Sequence, residues 1–277
     1  MVPPHQAPTL ARQDPAVPIR PADADEPILR VEGLSRRFGD RTALDGLSFS
    51  VRAGEVFGLL GPNGAGKSTA FQILACTLRA DSGRLYFHGR ELSVEDPSLR
   101  AQMGVVFQKN SLDEQLTAHE NLVLGARLYC LPRAAIRARV REMLDLFEIG
   151  KWEDQLVESF SHGMKQRLVM SAAFLHRPRS VVVDEPMVGL DPRGARLIKD
   201  VFRKMSARGV AILMSTHTLE VAQEMCDRIS IILKGRIIAR GTVTEIRAMG
   251  DDTDDQLTSV FLKLTGGSGL QEIDEIV

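Results

Sequence analysis

The sequence predicts an α/β protein: a parallel sheet covered by helices on both faces, an added antiparallel sheet near its start, and an inserted helical segment. Three observations predict it. Short, continuously apolar runs (VFGLL, SVVV, VAILM, ISIIL) alternate with segments of helical spacing. Strands buried on both faces of a parallel sheet read this way. Half-polar alternating runs precede the first of them, and residues 117–176 carry helical spacing almost throughout.

Taken in order, residues 1–27 hold seven of the 13 prolines and no apolar periodicity. Such a segment buries too little to offset its ordering entropy, and reads as a flexible tail. ILRVEGL and LSFSVR alternate like half-buried strands about a turn-rich GDRTALDG. EVFGLLG is a buried strand ending in glycine, and KSTAFQILACTLRA continues as a helix. DSGRLYFHG reads as a turn and strand, AQMGVVFQ as another strand. In PRAAIRARVREMLDLFEIG, Ile136, Val140, Met143, Leu144 and Phe147 share one helical face. Pro132 suits its first turn and Gly150 its C-terminal end. SVVVD and VAILMST then alternate with helices around 193–206 and 218–227, ISIILKGRIIARG forms a hairpin about Lys234-Gly235, and TDDQLTSVFLKLTG is a last short helix. The resulting plan is a tail (1–27), a main unit (28–250) with a helical insertion at about 110–175, and a C-terminal helix and tail (251–277).

Composition narrows the function classes. The net charge is -1 and the pI about 6.6, without the basic excess common in nucleic-acid binders. No apolar run approaches the roughly 18 residues that cross a bilayer, and the N-terminus lacks the apolar core of a secretory signal. The three cysteines, Cys76, Cys130 and Cys226, form neither a disulfide framework nor a metal-ligand spacing.

GPNGAGKST, Gly61 to Thr69 (Gly61, Pro62, Asn63, Gly64, Ala65, Gly66, Lys67, Ser68, Thr69), fits the pattern G-x-x-x-x-G-K-[ST] between a strand and a helix, as a phosphate cradle requires. Glycines let the backbone wrap closely and turn N–H groups inward, and the helix N-terminus adds partial positive charge. Lys67 brings a full charge towards β- and γ-phosphates, and the Ser68 hydroxyl suits Mg²⁺, a hard ion that prefers oxygen. In SVVVDEP the strand delivers Asp184 and Glu185 at its carboxyl end, where parallel sheets place ligands. Asp184 is the expected Mg²⁺ holder and Glu185 the group that orients an attacking water. A carboxylate with a pKa near 4.3 is a weak base. Phosphoryl transfer tolerates that, because positioning and electrostatics dominate its loose transition state.

FSHGMKQR, Phe160 to Arg167, resembles the Leu-Ser-Gly-Gly-Gln signature of ATP-binding cassette (ABC) ATPases with the Lys-Gln-Arg that follows it. Gln108 after GVVF resembles the family's Q-loop, Gly189-Leu190-Asp191-Pro192 its D-loop, His217 after ILMST its switch histidine, and Phe38 in LSRRFGD the aromatic that stacks on adenine. The motifs stand in the family's order, and the resemblance covers about residues 28–265. The signature departs from the common form at Phe160, His162 and Met164, while Ser161 and Gly163 are kept.

The resemblance implies a P-loop NTPase (RecA-like) core with an antiparallel β-subdomain and an inserted α-helical subdomain. It implies ATP hydrolysis with Mg²⁺ held by Ser68, Gln108 and Asp184, and catalytic roles for Glu185, His217 and Gln108. Two copies are expected to face head to tail, Ser161 and Gly163 of one touching the ATP in the cradle of the other, with Asp191 joining the sites. The partner is an integral membrane permease subunit, on whose cytoplasmic side the chain sits peripherally at the inner membrane. The segment after Gln108 and the ending QLTSVFLKLTG resemble the exporter branch that handles drugs, lipids, polysaccharides or ions. A soluble ABC ATPase acting on ribosomes or DNA is the competing class, disfavoured because one cassette stands alone without coiled-coil or zinc insertions. Arg127, Arg133, Arg137, Arg139 and Arg141 read as a solvated helix face, and Asp251, Asp252, Asp254 and Asp255 as helix-start acids.

Overall fold

A computed structural model describes residues 27–93, 96–108, 111–249 and 261. The proline-rich tail lies outside the described residues but for Pro27, as does the C-terminal helix with its aspartates but for Phe261, which is buried.

The chain begins with two long antiparallel strands, β1 (Pro27–Phe38) and β2 (Arg41–Arg52). The turn between them is shorter than the turn-rich sequence suggested. Pairing continues to Phe38 opposite Arg41, so only Gly39 and Asp40 connect the strands, and register shifts absorb the irregular residues. Leu44, inside that supposed loop, and Leu47, just after it, are fully buried. Their burial outweighs the turn preference of their neighbours. β3 (Val56–Leu60) is buried along its whole length. The following helix α1 (Lys67–Leu74) is shorter than its spacing suggested, because Cys76 adopts a left-handed backbone that ends it. β4 (Ser82–Phe87), β5 (Arg90–Glu91), the single turn α2 (Pro97–Arg100) capped by Asp96, and β6 (Met103–Val106) follow.

The helical insertion consists of α3 (Ala118–Leu128), α4 (Arg133–Leu146) and α5 (His162–Phe174). Thr117 and Glu120 start α3 with a reciprocal capping box. The apolar face predicted for α4 is buried. Its end differs from expectation: Glu148, not Gly150, takes the left-handed conformation, and Gly150 opens a separate 3₁₀ turn. Arg139 is a second correction. It is only 8% exposed, and its guanidinium donates to the Phe174 and Leu175 carbonyls at the end of α5. Those carbonyls lack intrahelical partners, so a cation there serves both hydrogen bonding and the helix dipole. Arg127, Arg133, Arg137 and Arg141 are exposed as expected.

β7 (Ser180–Val183), α6 (Pro192–Ser206), β8 (Ala211–Thr216), α7 (Leu219–Met225), the hairpin β9 (Arg228–Leu233) with β10 (Arg236–Thr242), and α8 (Val243–Arg247) complete the fold. Two sheets result. The four-stranded antiparallel sheet has the order β2-β1-β4-β5; the six-stranded sheet has the order β10-β9-β3-β8-β7-β6 and is parallel except for β10. The two-residue side-chain period divides the core. Val56, Leu60, Val181, Val183, Ile212 and Met214 face the helical insertion, whereas Phe57, Leu59, Val182 and Leu213 face α1 and the antiparallel sheet. No helix among the described residues is long and apolar enough to cross a membrane.

Candidate functional site

The carboxyl edge of the six-stranded sheet gathers the predicted chemistry. Residues 61–66 wrap from the end of β3 into α1, where Gly66 holds a backbone φ of 112°. A side chain at Gly66 would come within 2.5 Å of the Ala43 carbonyl, so the loop can lie against β2 only with glycine there. The hairpin β9–β10 also holds the loop, the Gly235 N–H donating to the Ala65 carbonyl at 2.8 Å. Lys67 opens α1 nearly buried, and its Nζ donates to the Gly61 carbonyl (2.7 Å) and the Pro62 carbonyl (3.2 Å). It lies 3.7 Å from Glu185 Oε1. Burial lowers the Lys67 pKa, with the charges of Glu185 and Asp184 opposing. Asn63, Gly64 and Ser68 are exposed, so the mouth of the cradle faces solvent.

Asp184 and Glu185 follow β7 and are both buried. The Asp184 N–H bonds the Val106 carbonyl of β6 at 2.8 Å. Glu185 takes a left-handed φ of 53°, a conformation costly for a side chain with a Cβ and typical of a functional turn. Ser215, which sequence reasoning missed, holds both acids. Its hydroxyl donates to Asp184 Oδ1 and accepts the Glu185 N–H at 2.9 Å. The available signal was the polar pair Ser215-Thr216 closing the buried run ILMST. Its partner became visible only with β7 beside β8 in register. His217 donates from Nδ1 to Glu185 Oε1 at 3.0 Å. Lys67, Glu185 and His217 therefore form a continuous chain, pinned to Asp184 through Ser215.

Gln108 is exposed two residues beyond β6, at the same edge. Phe38 ends β1 with 46% of its surface exposed, and the Arg36 guanidinium lies 4.9 Å from its ring centroid. Its cross-strand partner Arg41 reaches the Gly64 carbonyl at 3.4 Å, which tethers this hairpin to the cradle. Ser161, Gly163 and Asp191 form a different group. Ser161 Oγ accepts the Met164 N–H at the start of α5, and Asp191 Oδ1 accepts the Gly194 N–H at the start of α6. Among the described residues no hydrogen bond or ion pair joins this group to Lys67, Asp184 or Glu185. No cluster of three or more His, Cys, Asp or Glu among the described residues forms a self-standing metal site. The oxygen-only set of the Ser68 hydroxyl and Asp184 carboxylate suits a hard cation that shares its ligands with phosphate, as Mg²⁺ does.

This fold and edge define an α/β P-loop nucleotide hydrolase. Residues 44–188 match the family described as ABC transporter. The chain is 38% identical over 241 residues to a daunorubicin resistance ATP-binding protein of Streptomyces coeruleorubidus, covering 87% of this chain and 75% of that protein. It is 41% identical over 229 residues to a Nod factor export ATP-binding protein I of Ralstonia nicotianae, covering 83% and 71%. A solved structure described as the ATP binding subunit of an ABC transporter superposes with a TM-score of 0.78 at 32% identity, covering 86% of this chain and 99% of that one. The chain belongs to the ABC transporter family and is an ATP-binding, ATP-hydrolysing subunit of it. The named relatives serve drug resistance and export, in keeping with the exporter branch expected from the sequence.

Proposed function

We propose that this chain powers export through a separate membrane permease, by closing as a pair around two ATP and reopening on hydrolysis. The unit that does so runs over residues 28–250, with the helical subdomain at about 110–175 inserted. The observation that carries the reading is the chain that runs from buried Lys67 and Glu185 to His217 at the surface, with Ser215 joining it to Asp184.

Lys67 and the backbone of residues 61–69 receive the anionic phosphates of ATP, and Phe38 offers its exposed face to the adenine ring. Ser68, Gln108 and Asp184 would hold Mg²⁺, which would supply neutralising charge at the phosphate oxygens. Glu185 accepts a hydrogen bond from the attacking water and aims it, while His217 fixes that carboxylate from the other side. Ser161 and Gly163, at the positive end of α5, contact the γ-phosphate held by a second copy, and Asp191 joins the two sites. Moving such a switch from 1:99 to 99:1 takes about 5.5 kcal/mol of differential binding. Charge-assisted contacts to phosphate from two subunits are of the strength required.

The exposed leucines of α3 support a protein partner: Leu128 is 73% exposed and Leu124 lies one turn before it. The partner is an integral membrane protein, which sets the chain at the cytoplasmic face of the inner membrane. The cargo is a molecule for export, as in the named relatives, whose names give daunorubicin resistance and Nod factor export. The relatives give the ribosome- or DNA-acting reading no support. Glu185→Gln tests the mechanism. ATP binding should persist, turnover should fall by about a hundredfold, and a dimer should accumulate with ATP. Near-normal turnover in that variant would remove Glu185 from its role.

A further inference from the structure

His162 occupies a position where the family signature has glycine, and it packs against a loop distant in sequence. Gly189 has a backbone φ of +75°, and a Cβ placed there would overlap the His162 imidazole, 2.5 Å from Nε2 and 3.0 Å from Cγ. The imidazole thus covers the bare Cα of Gly189. The neighbouring residues continue the seam. A Cβ on Gly163 would meet the Gly189 carbonyl at 3.3 Å and Leu190 Cδ2 at 3.6 Å. Leu190 Cδ2 also lies against Gly194 in the first turn of α6. The turn 161–163 and the loop 189–191 are therefore in van der Waals contact, each carrying the N-cap of a helix, Ser161 for α5 and Asp191 for α6.

We propose that His162 is a positioning residue: a flat strut that fixes the Ser161–Gly163 turn against the Gly189–Asp191 loop, so the subunit presents both to its second copy as one rigid face. The inference rests on the dimer reading above. Both elements must engage the second copy together, and holding them in one arrangement beforehand removes an ordering cost from association. A glycine at residue 162 leaves Gly189 uncovered and the two turns held together only by the smaller contact of Gly163 with Gly189 and Leu190. His162 makes none of the hydrogen bonds or ion pairs of the cradle, so nucleotide binding by a single subunit does not depend on it.

The test uses the full chain in the Glu185→Gln background, with ATP-driven dimerisation followed by sedimentation velocity and single-subunit nucleotide binding followed by calorimetry at low protein concentration. His162→Gly should raise the ATP concentration for half-dimerisation about tenfold, with single-subunit affinity unchanged. His162→Phe, which keeps a flat ring, should restore most of the loss. Gly189→Ala supplies an independent arm. Its penalty on dimerisation should shrink when combined with His162→Gly, because the backbone strain is common to both backgrounds and only the overlap is relieved. Dimerisation of His162→Gly at the unaltered ATP concentration, or a His162→Phe variant as impaired as His162→Gly, would overturn the strut. So would a Gly189→Ala penalty that is the same in both backgrounds. Failure of Glu185→Gln alone to dimerise with ATP would instead strike the dimer reading on which the strut rests.

Discussion

Removing the Ser215 hydroxyl leaves Asp184 Oδ1 and the Glu185 amide without their shared partner, in a place where Ser215 itself is fully buried. An unsatisfied buried polar group costs about 1–3 kcal/mol. Ser215→Ala should lose stability of that order in urea unfolding. Its turnover should fall more than its ATP affinity, because Lys67 and the loop keep their own contacts; equal losses in both would mean that Ser215 supports the loop as a whole. His176 allows a pH prediction. It stacks on Tyr129 with ring centroids 3.7 Å apart and donates from Nε2 to the Met103 carbonyl. Burial pushes its pKa down from the ordinary 6.5 to about 4, the Met103 hydrogen bond opposing. Between those values the unfolded chain binds a proton that the folded chain refuses. Stability therefore falls as pH drops from about 6.5 to 4, by about 3 kcal/mol at about 1.4 kcal/mol per pH unit. His176→Phe keeps a stacked ring without the proton, and its stability should vary less over that window. An unchanged pH dependence would show that other groups control it.

At the scale of elements, the hairpin β9–β10 acts on the cradle without contributing a charged group to it. Gly235 at its tip has a backbone φ of +80°, donates to the Ala65 carbonyl and accepts the Asp45 N–H at 3.0 Å. A Cβ there would lie 2.7 Å from the Ala43 carbonyl. Gly235→Ala must therefore part the hairpin from β2 or shift the loop, beyond the strain of alanine at positive φ. The expected outcome is a rise in KM for ATP of about tenfold with a smaller change in kcat, read by steady-state ATPase assay. A kcat loss at constant KM would place the hairpin's effect on chemistry rather than on binding. Arg139 plays a comparable part in the insertion, since its guanidinium ties α4 to the last turn of α5 and thereby supports the helix whose first turn holds Ser161.

For the whole molecule, the six-stranded sheet is a shared wall between two cores, with the proposed nucleotide edge at the carboxyl ends of its strands. A ligand that binds only the folded chain stabilises it by RT ln(1 + [L]/Kd), about 2.7 kcal/mol at a hundred times Kd. ATP should raise the melting temperature accordingly, and Lys67→Ala should abolish most of that rise while leaving the unliganded chain folded. An equal rise in the variant would place ATP elsewhere. The alternation of apolar runs and helices made this architecture legible, and the pattern at 61–69 marked the cradle, because both depend on local period and spacing. The β1–β2 turn was not legible: its turn-forming residues are overruled by the burial of Leu44 and Leu47 in a core built from distant strands. Arg139 misled for the same reason, since a cation on a helix looks solvated until the neighbouring helix end is known.

By itself the sequence determined the layered α/β plan, the loop around Lys67, the Asp184–Glu185 pair and the order of motifs that mark an ABC ATPase. Each of these lies within one short stretch, or follows from the order of such stretches, and needs no knowledge of what packs against it. Tertiary structure alone decided that Ser215 holds the Asp184 carboxylate and the Glu185 amide, that Gly235 braces the cradle, that Arg139 caps α5 and that His162 rests on Gly189. Those contacts join residues from 27 to 170 positions apart, and partners at such distances are chosen by strand order and helix packing, which local chemistry does not encode.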